Sequence, residues 1–177
     1  RDPSSAASDV YKRQEYIAGK NFEDFFSIAS VNDIEFVVST LFDYFDTLIS
    51  TARNIDATKQ ILDKLDSLKE KSSYPKYIEF LRKYVEDRRI IVPHTFCHGD
   101  LTFANIIFHQ NRLFFIDFLD CYVDTFLSDL VKLKQDLHHL WAVKNQDVYT
   151  VRIHQIYQYI WDKLEVRYTD YLTESFH

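Results

Sequence analysis

His98, Gly99, Asp100 and Asn105, followed by Asp117, are the residues of this chain whose types and spacing could do chemistry. The segment reads His98-Gly99-Asp100-Leu101-Thr102-Phe103-Ala104-Asn105, then two short apolar runs, then Phe115-Ile116-Asp117-Phe118. In pattern form it is H-G-D-L-x-x-x-N, a hairpin, and I-D-F. Polar groups that flank apolar strands can be held in fixed relation by strand packing. A carboxylate, an amide and a second carboxylate held in that way suit phosphoryl transfer from ATP. One Asp orients the attacking hydroxyl and accepts its proton. An Asn and a second Asp hold magnesium, a hard cation that takes oxygen ligands and bridges phosphates.

The elements around these residues follow from periodicity. Asn21 can cap a short helix carrying Phe22, Phe25 and Phe26. Ile34, Val37, Val38, Leu41, Phe45, Leu48 and Ile49 recur at steps of three and four, which predicts a helix with one buried stripe, starting at Asn32 or Asp33. Ile61, Leu62, Leu65 and Leu68 mark another helix, and Pro75 opens the next, with Ile78, Leu81, Tyr84 and Val85 on one side. From Ile90 to Cys97 the chain is β-prone and contains Pro93, so it reads as extended. Asn105 to His109 and Arg112 to Asp117 read as a β-hairpin turning at Gln110-Asn111. Helical period returns from Phe126 through Leu140 and Trp141, and a last helix runs from Val151 to Leu164. The fold class is α+β and mainly helical, with a small hairpin between the catalytic and metal loops.

Composition narrows the function classes. The 177 residues contain only Gly19 and Gly99 as glycines, so the sequence holds no glycine-rich phosphate loop. A net charge of -6 makes nucleic acid a poor partner, and the one tight basic cluster, Arg82-Lys83 with Arg88-Arg89, reads as the solvated end of a helix. No apolar run reaches the roughly 18 residues that span a bilayer, so no membrane association is expected. Cys97 and Cys121 make neither a disulfide framework nor a zinc site; they read as small buried hydrophobes, and a cytoplasmic setting is the default. The 15 Phe and 12 Tyr read as core filling in a chain without Met. Residues 1–14 are small, polar and aperiodic, and resemble translated adapter sequence rather than a native N-terminus.

In the protein-kinase signature the catalytic Asp precedes the metal-binding Asn by five positions, as Asp100 precedes Asn105, and the metal Asp follows a hairpin, as Asp117 does. The stretch from His98 to Leu130 resembles the signature of the aminoglycoside phosphotransferase and choline kinase family, which has a protein-kinase-like fold. The resemblance implies that Asp100 is the catalytic base, that His98 braces the catalytic loop, and that Asn105 and Asp117 bind magnesium and, through it, ATP. It implies a structural role for Asp129 and places Asp120 near the substrate. Gly99 stands where protein kinases carry Arg, which points away from a protein substrate.

The resemblance reaches upstream. Glu15-Tyr16-Ile17-Ala18-Gly19-Lys20 is similar to the family's hinge between lobes, where backbone groups of residues such as Glu15 and Ile17 bind adenine. Residues 15–20 are then the hinge and 21–177 the large C-terminal lobe, while the family's phosphate flap, strand Lys and helix Glu have no counterpart in this sequence. The expected function is transfer of the ATP γ-phosphate to a hydroxyl of a small molecule, for which the family offers aminoglycosides, choline, ethanolamine, sugars and homoserine. A cationic acceptor would suit an acidic pocket, and the net charge agrees with one without selecting it. The alternatives are a truncated or degenerate lobe that binds a nucleotide or partner without turnover, and a metal-dependent hydrolase using His98, Asp100 and Asp117. The oligomeric state is not readable from the sequence.

Overall fold

The computed structural model describes residues 17–143 and 150–174. In chain order the elements are α1 (Phe22–Ile28), α2 (Val31–Thr51), β1 (Arg53–Asp56), α3 (Thr58–Lys69), α4 (Pro75–Glu86), β2 (Ile91–His94), β3 (Ile106–His109), β4 (Arg112–Phe115), α5 (Phe126–His139), α6 (Thr150–Arg167) and α7 (Thr169–Glu174). Short 3-10 turns at Phe103–Asn105 and Trp141–Val143 complete them. The architecture is α+β, helix-dominated, with two separate two-stranded antiparallel sheets, β1-β2 and β3-β4. Among the described residues no helix is long and apolar enough to cross a membrane.

The helices form where the apolar spacing predicts, and their ends show why. Asn21 caps α1 by accepting the Asp24 N–H at 2.8 Å. Helix α2 starts at Ser30 rather than at Asn32 or Asp33. The Ser30 Oγ accepts the Asp33 N–H, and the Asp33 carboxylate accepts the Ser30 N–H at 2.7 Å, a reciprocal capping box. The Ser30 hydroxyl and N–H hold the Asp33 carboxyl below its ordinary value. Such a cap contributes about 1 kcal/mol. Pro75 occupies the first turn of α4, as expected. Trp141 falls in the 3-10 turn rather than in α5, because Leu140 turns left-handed (φ 50°) and ends the helix.

The core lies where α1, α2, α5 and α6 meet over one face of the β3-β4 hairpin. Val37, Leu41 and Phe45 of α2 are fully buried, as are Leu133 of α5 and Tyr157, Ile160 and Leu164 of α6. Phe26 packs edge-on to Phe103 at 5.2 Å, and Phe25 stacks on Phe108 at 4.1 Å. The aromatics thus clamp the hairpin to the helices, each burying a large apolar area.

Hairpin register pairs Ile106 with Phe115 and His109 with Arg112. Gln110 and Asn111 both turn left-handed (φ 47° and 55°), which gives a two-residue turn of the twist that antiparallel strands favour, without glycine. The strands are shorter than expected: Asn105 belongs to the preceding 3-10 turn, and Asp117 lies beyond β4. Strand β1 has no counterpart in the sequence expectations. It pairs with β2, Asn54 opposite Pro93 and Ile55 opposite Val92, and the chain between the two strands forms α3 and α4, which pack on each other.

Residues 17–20 reach the hairpin directly. Lys20 and Phe108 exchange backbone hydrogen bonds at 2.8 and 2.9 Å. A Cβ on Gly19 would stand 2.2 Å from Ile107 Cγ2 and 2.8 Å from the Phe108 carbonyl oxygen. Only glycine allows that approach. Glu15 and residues 1–14 lie outside the described residues.

Candidate active site

The catalytic segment runs between β2 and β3 and is held from beneath by one buried carboxylate. Asp129, on the first turn of α5, is fully buried. Its Oδ2 accepts the His98 N–H at 2.7 Å and its Oδ1 the Gly99 N–H at 2.8 Å. The Tyr44 hydroxyl of α2 donates to Oδ2 at 2.7 Å. Burial first, and then the contact with Asp129, push the Tyr44 pKa far up, so the hydroxyl stays protonated and donates. Charge-assisted bonds of this kind are stronger than neutral ones. A second buried carboxylate, Asp136, repeats the device two turns along α5 by accepting the Phe103 N–H at 2.7 Å.

His98 is fully buried, and both ring nitrogens are engaged. Nε2 donates to the Ile116 carbonyl at 2.7 Å, and Nδ1 accepts the Asp100 N–H at 3.3 Å. That pairing requires the proton on Nε2. The ring also lies 4.3 Å from the ring of Phe118. His98 therefore ties the loop that carries Asp100 to the segment after β4 through both ring nitrogens.

Gly99 adopts φ +85°, and a Cβ there would stand 2.3 Å from the Leu119 carbonyl oxygen. The Leu119 N–H in turn donates to the His98 carbonyl at 2.9 Å. The catalytic loop and the segment carrying Asp117 run against each other backbone to backbone.

Asp100 is half-buried, with Lys132 Nζ of α5 3.0 Å from its Oδ1. Asn105 Nδ2 donates to the Asp100 carbonyl at 2.8 Å and to its Oδ2 at 3.2 Å. This leaves the amide oxygen of Asn105 as a free oxygen donor. The Asn105 carbonyl accepts the Ile116 N–H at 3.0 Å, so Asn105 and the residue before Asp117 are bound together. Asp117 itself is exposed and left-handed (φ 58°), a conformation that non-glycine residues rarely adopt and that recurs at functional sites. A carboxylate and an amide oxygen are hard-oxygen donors, of the kind that magnesium takes and soft metals do not.

One expectation needs correction. Cys97 and Cys121 are not separate buried hydrophobes: they are joined as a disulfide, and Cys121 is only half-buried. The bond closes because the backbone pairing of His98 with Leu119 brings their neighbours together. Among the described residues, the one trio of His, Cys and carboxylate groups close enough to share a metal is Cys97, Cys121 and Asp124, with ligand atoms within 4.8 Å of one another. With the sulfurs bonded to each other, that trio offers no thiolate pair. Asp120 lines a cavity beside Gly99 together with Lys64 and Lys132.

Lys132 and Tyr44 were missed by sequence reading. The signal for Lys132 was available, because it lies three residues after Asp129 and so one turn along the same face of α5. Tyr44 sits three after Leu41 in the apolar stripe of α2, where a polar-tipped aromatic implies a buried partner. Ile17 is half-buried, and its carbonyl accepts the Gly19 N–H at 2.9 Å in a tight turn.

A buried carboxylate thus orders the loop that carries Asp100, and Asn105 is joined across the hairpin to the residue before the exposed Asp117. The model of the phosphotransferase enzyme family (APH) matches residues 40–167. The chain belongs to that family, and phosphotransferase activity is its family-level function. No curated protein and no solved structure matches the chain.

Proposed function

We propose that the protein transfers the γ-phosphoryl group of ATP to a hydroxyl of a small molecule, using magnesium, and that residues 21–177 form a protein-kinase-like C-terminal lobe. The observation that carries this reading is the network joining Asp100, Asn105 and the Asp117 segment. Asn105 bonds to Asp100 through its side chain and to Ile116 through its backbone, so base and metal ligands move as one body. In this family-level chemistry positioning and charge neutralisation supply most of the rate.

Asp100 is the base. The hydroxyl oxygen of the acceptor attacks the γ-phosphorus, and the bond to the β,γ-bridging oxygen breaks. ADP leaves with that electron pair, and the hydroxyl proton passes to the Asp100 carboxylate. The products are ADP and a phosphate monoester. Asn105 and Asp117 would hold magnesium, which neutralises phosphate charge when bound. His98 and Asp129 fix the loop geometry, and Lys132 orients the Asp100 carboxylate. The approach of residues 17–20 to β3 agrees with an adenine-binding hinge in which Glu15 and Ile17 contribute backbone groups.

The test is transfer from γ-labelled ATP to a panel of hydroxyl compounds, with magnesium. Asp100→Asn should lower transfer by roughly two to four decades with the unfolding midpoint unchanged, the usual weight of a general base. Undiminished transfer in Asp100→Asn overturns the assignment.

A further inference from the structure

A cavity of about 530 Å³ lies between α3, the loop 120–125 and one face of α5, with Gly99 lining it as well. Its size is that of small-molecule sites. Carbon dominates its walls: Ile61 and Leu65 from α3, Val92 from β2, and Leu127 and Val131 from α5. Lys132 joins it to the chemistry, because the same side chain that lines the cavity holds Asp100 Oδ1 at 3.0 Å. Asp100 is not itself part of the lining, but the Lys132 end of the cavity is the end nearest to it.

The charges in the lining are two lysines against one carboxylate, Asp120. Lys132 is engaged by Asp100. Lys64 belongs to α3, on the wall facing α5; its Nζ lies 5.1 Å over the ring of Tyr122, and among the described residues it forms no ion pair. With Lys132 paired to Asp100, a polycation entering here would face the Lys64 ammonium against one carboxylate, Asp120, and would leave most of the wall's carbon uncovered. A molecule with an apolar body and one anionic group would cover that carbon and complete an ion pair with Lys64.

We propose that this cavity is the acceptor site, and that its acceptor is a hydroxyl compound with an apolar body and one anionic group rather than an amine or a polycation. The apolar walls bury the body, Lys64 pairs with the anion, and the hydroxyl lies at the Lys132 end, from which Lys132 reaches Asp100. The assignment as acceptor site rests on the phosphotransferase reading; the ligand class rests on the lining alone.

The test uses the whole chain, with Ile, Leu and Val methyls labelled for NMR, titrated with three probes matched in length: hydroxyhexanoate, hexanediol and aminohexanol. Binding is read from the methyls of Ile61, Leu65, Leu127 and Val131. Hydroxyhexanoate should bind about three- to fivefold more tightly than hexanediol, the weight of a solvent-exposed ion pair, with aminohexanol weakest. Lys64→Gln should remove the advantage of hydroxyhexanoate; Lys64 is exposed, so the variant keeps its fold. Equal affinities, aminohexanol binding most tightly, or shifts confined to other methyls overturn the proposal. Transfer from ATP is measured in parallel. Transfer to choline or kanamycin without hydroxyhexanoate binding overturns the acceptor class and leaves the phosphotransferase reading intact. The predicted order of binding without transfer to any hydroxyl compound supports the ligand class and counts against the phosphotransferase reading.

Discussion

Replacing Asp129 by alanine removes a carboxylate that three donors share: the N–H groups of His98 and Gly99 and the hydroxyl of Tyr44. All three would be left facing carbon in a fully buried place. A hydrogen bond to a charged acceptor contributes about 1.5–3 kcal/mol, and an unpaired buried donor costs about 1–3 kcal/mol. These do not add fully, since water enters and the loop relaxes, so the expected loss is about 3–5 kcal/mol. That is a large share of the roughly 5–15 kcal/mol that holds a domain folded. With a urea slope of about 2 kcal/mol/M, the midpoint should fall by roughly 2 M. Tyr44→Phe removes one donor and leaves the carboxylate two, so it should cost only about 1 kcal/mol. Asp129→Asn keeps one acceptor oxygen and should fall between them. Urea unfolding of the three variants, followed by fluorescence and circular dichroism, gives the order directly. An Asp129→Ala variant within about 1 kcal/mol of the parent refutes the reasoning, as does Tyr44→Phe costing as much as Asp129→Ala.

Two further predictions use the same loop and the sheet beside it. Gly99→Ala forces a Cβ against the Leu119 carbonyl oxygen at φ +85°, and should destabilise the chain by at least about 1–3 kcal/mol while separating Asp100 from Asp117; a variant as stable as the parent contradicts it. The Thr58 hydroxyl, and then Arg89, lower the Asp56 pKa to about 2 from 3.8. Because the folded value is the lower one, this stabilisation is present above pH 4 and fades as pH falls toward 2. The gap in urea midpoint between parent and Asp56→Asn should be open at pH 6 and closed near pH 2; an unchanged gap counts against it.

The placement of the candidate site residues was legible because their geometry is local. Asp100 and Asn105 are separated by one 3-10 turn, and Asp117 by one hairpin, so covalent spacing nearly determines their relation. The stripe of α2 and the proline start of α4 were legible for the same reason. What sequence reading missed depends on distant partners. Tyr44 meets Asp129 across 85 positions, and Lys132 meets Asp100 only once α5 lies under the catalytic loop. Strand β1 is polar and four residues long, with no alternation to announce it, and exists because β2 pairs with it. Helix α2 begins at Ser30 because a reciprocal cap outweighs a single Asn or Asp cap. The disulfide arises from the crossing of two loops, which no spacing of Cys97 and Cys121 encodes. Net charge selected no acceptor, because charge summed over a surface says little about a cavity lined by Ile61, Leu65 and two lysines.

The central claim is that Asp117 and Asn105 hold the metal of a nucleotide whose phosphoryl group is passed beside Asp100. Electron paramagnetic resonance of Mn²⁺ with ATP tests it most directly, manganese standing for magnesium and free Mn²⁺ giving the signal that binding removes. The parent and Asp100→Asn should bind the metal–nucleotide complex alike. Asp117→Ala, which alters an exposed side chain, should weaken binding at least tenfold at an unchanged unfolding midpoint. Equal binding by the parent and Asp117→Ala would contradict the account.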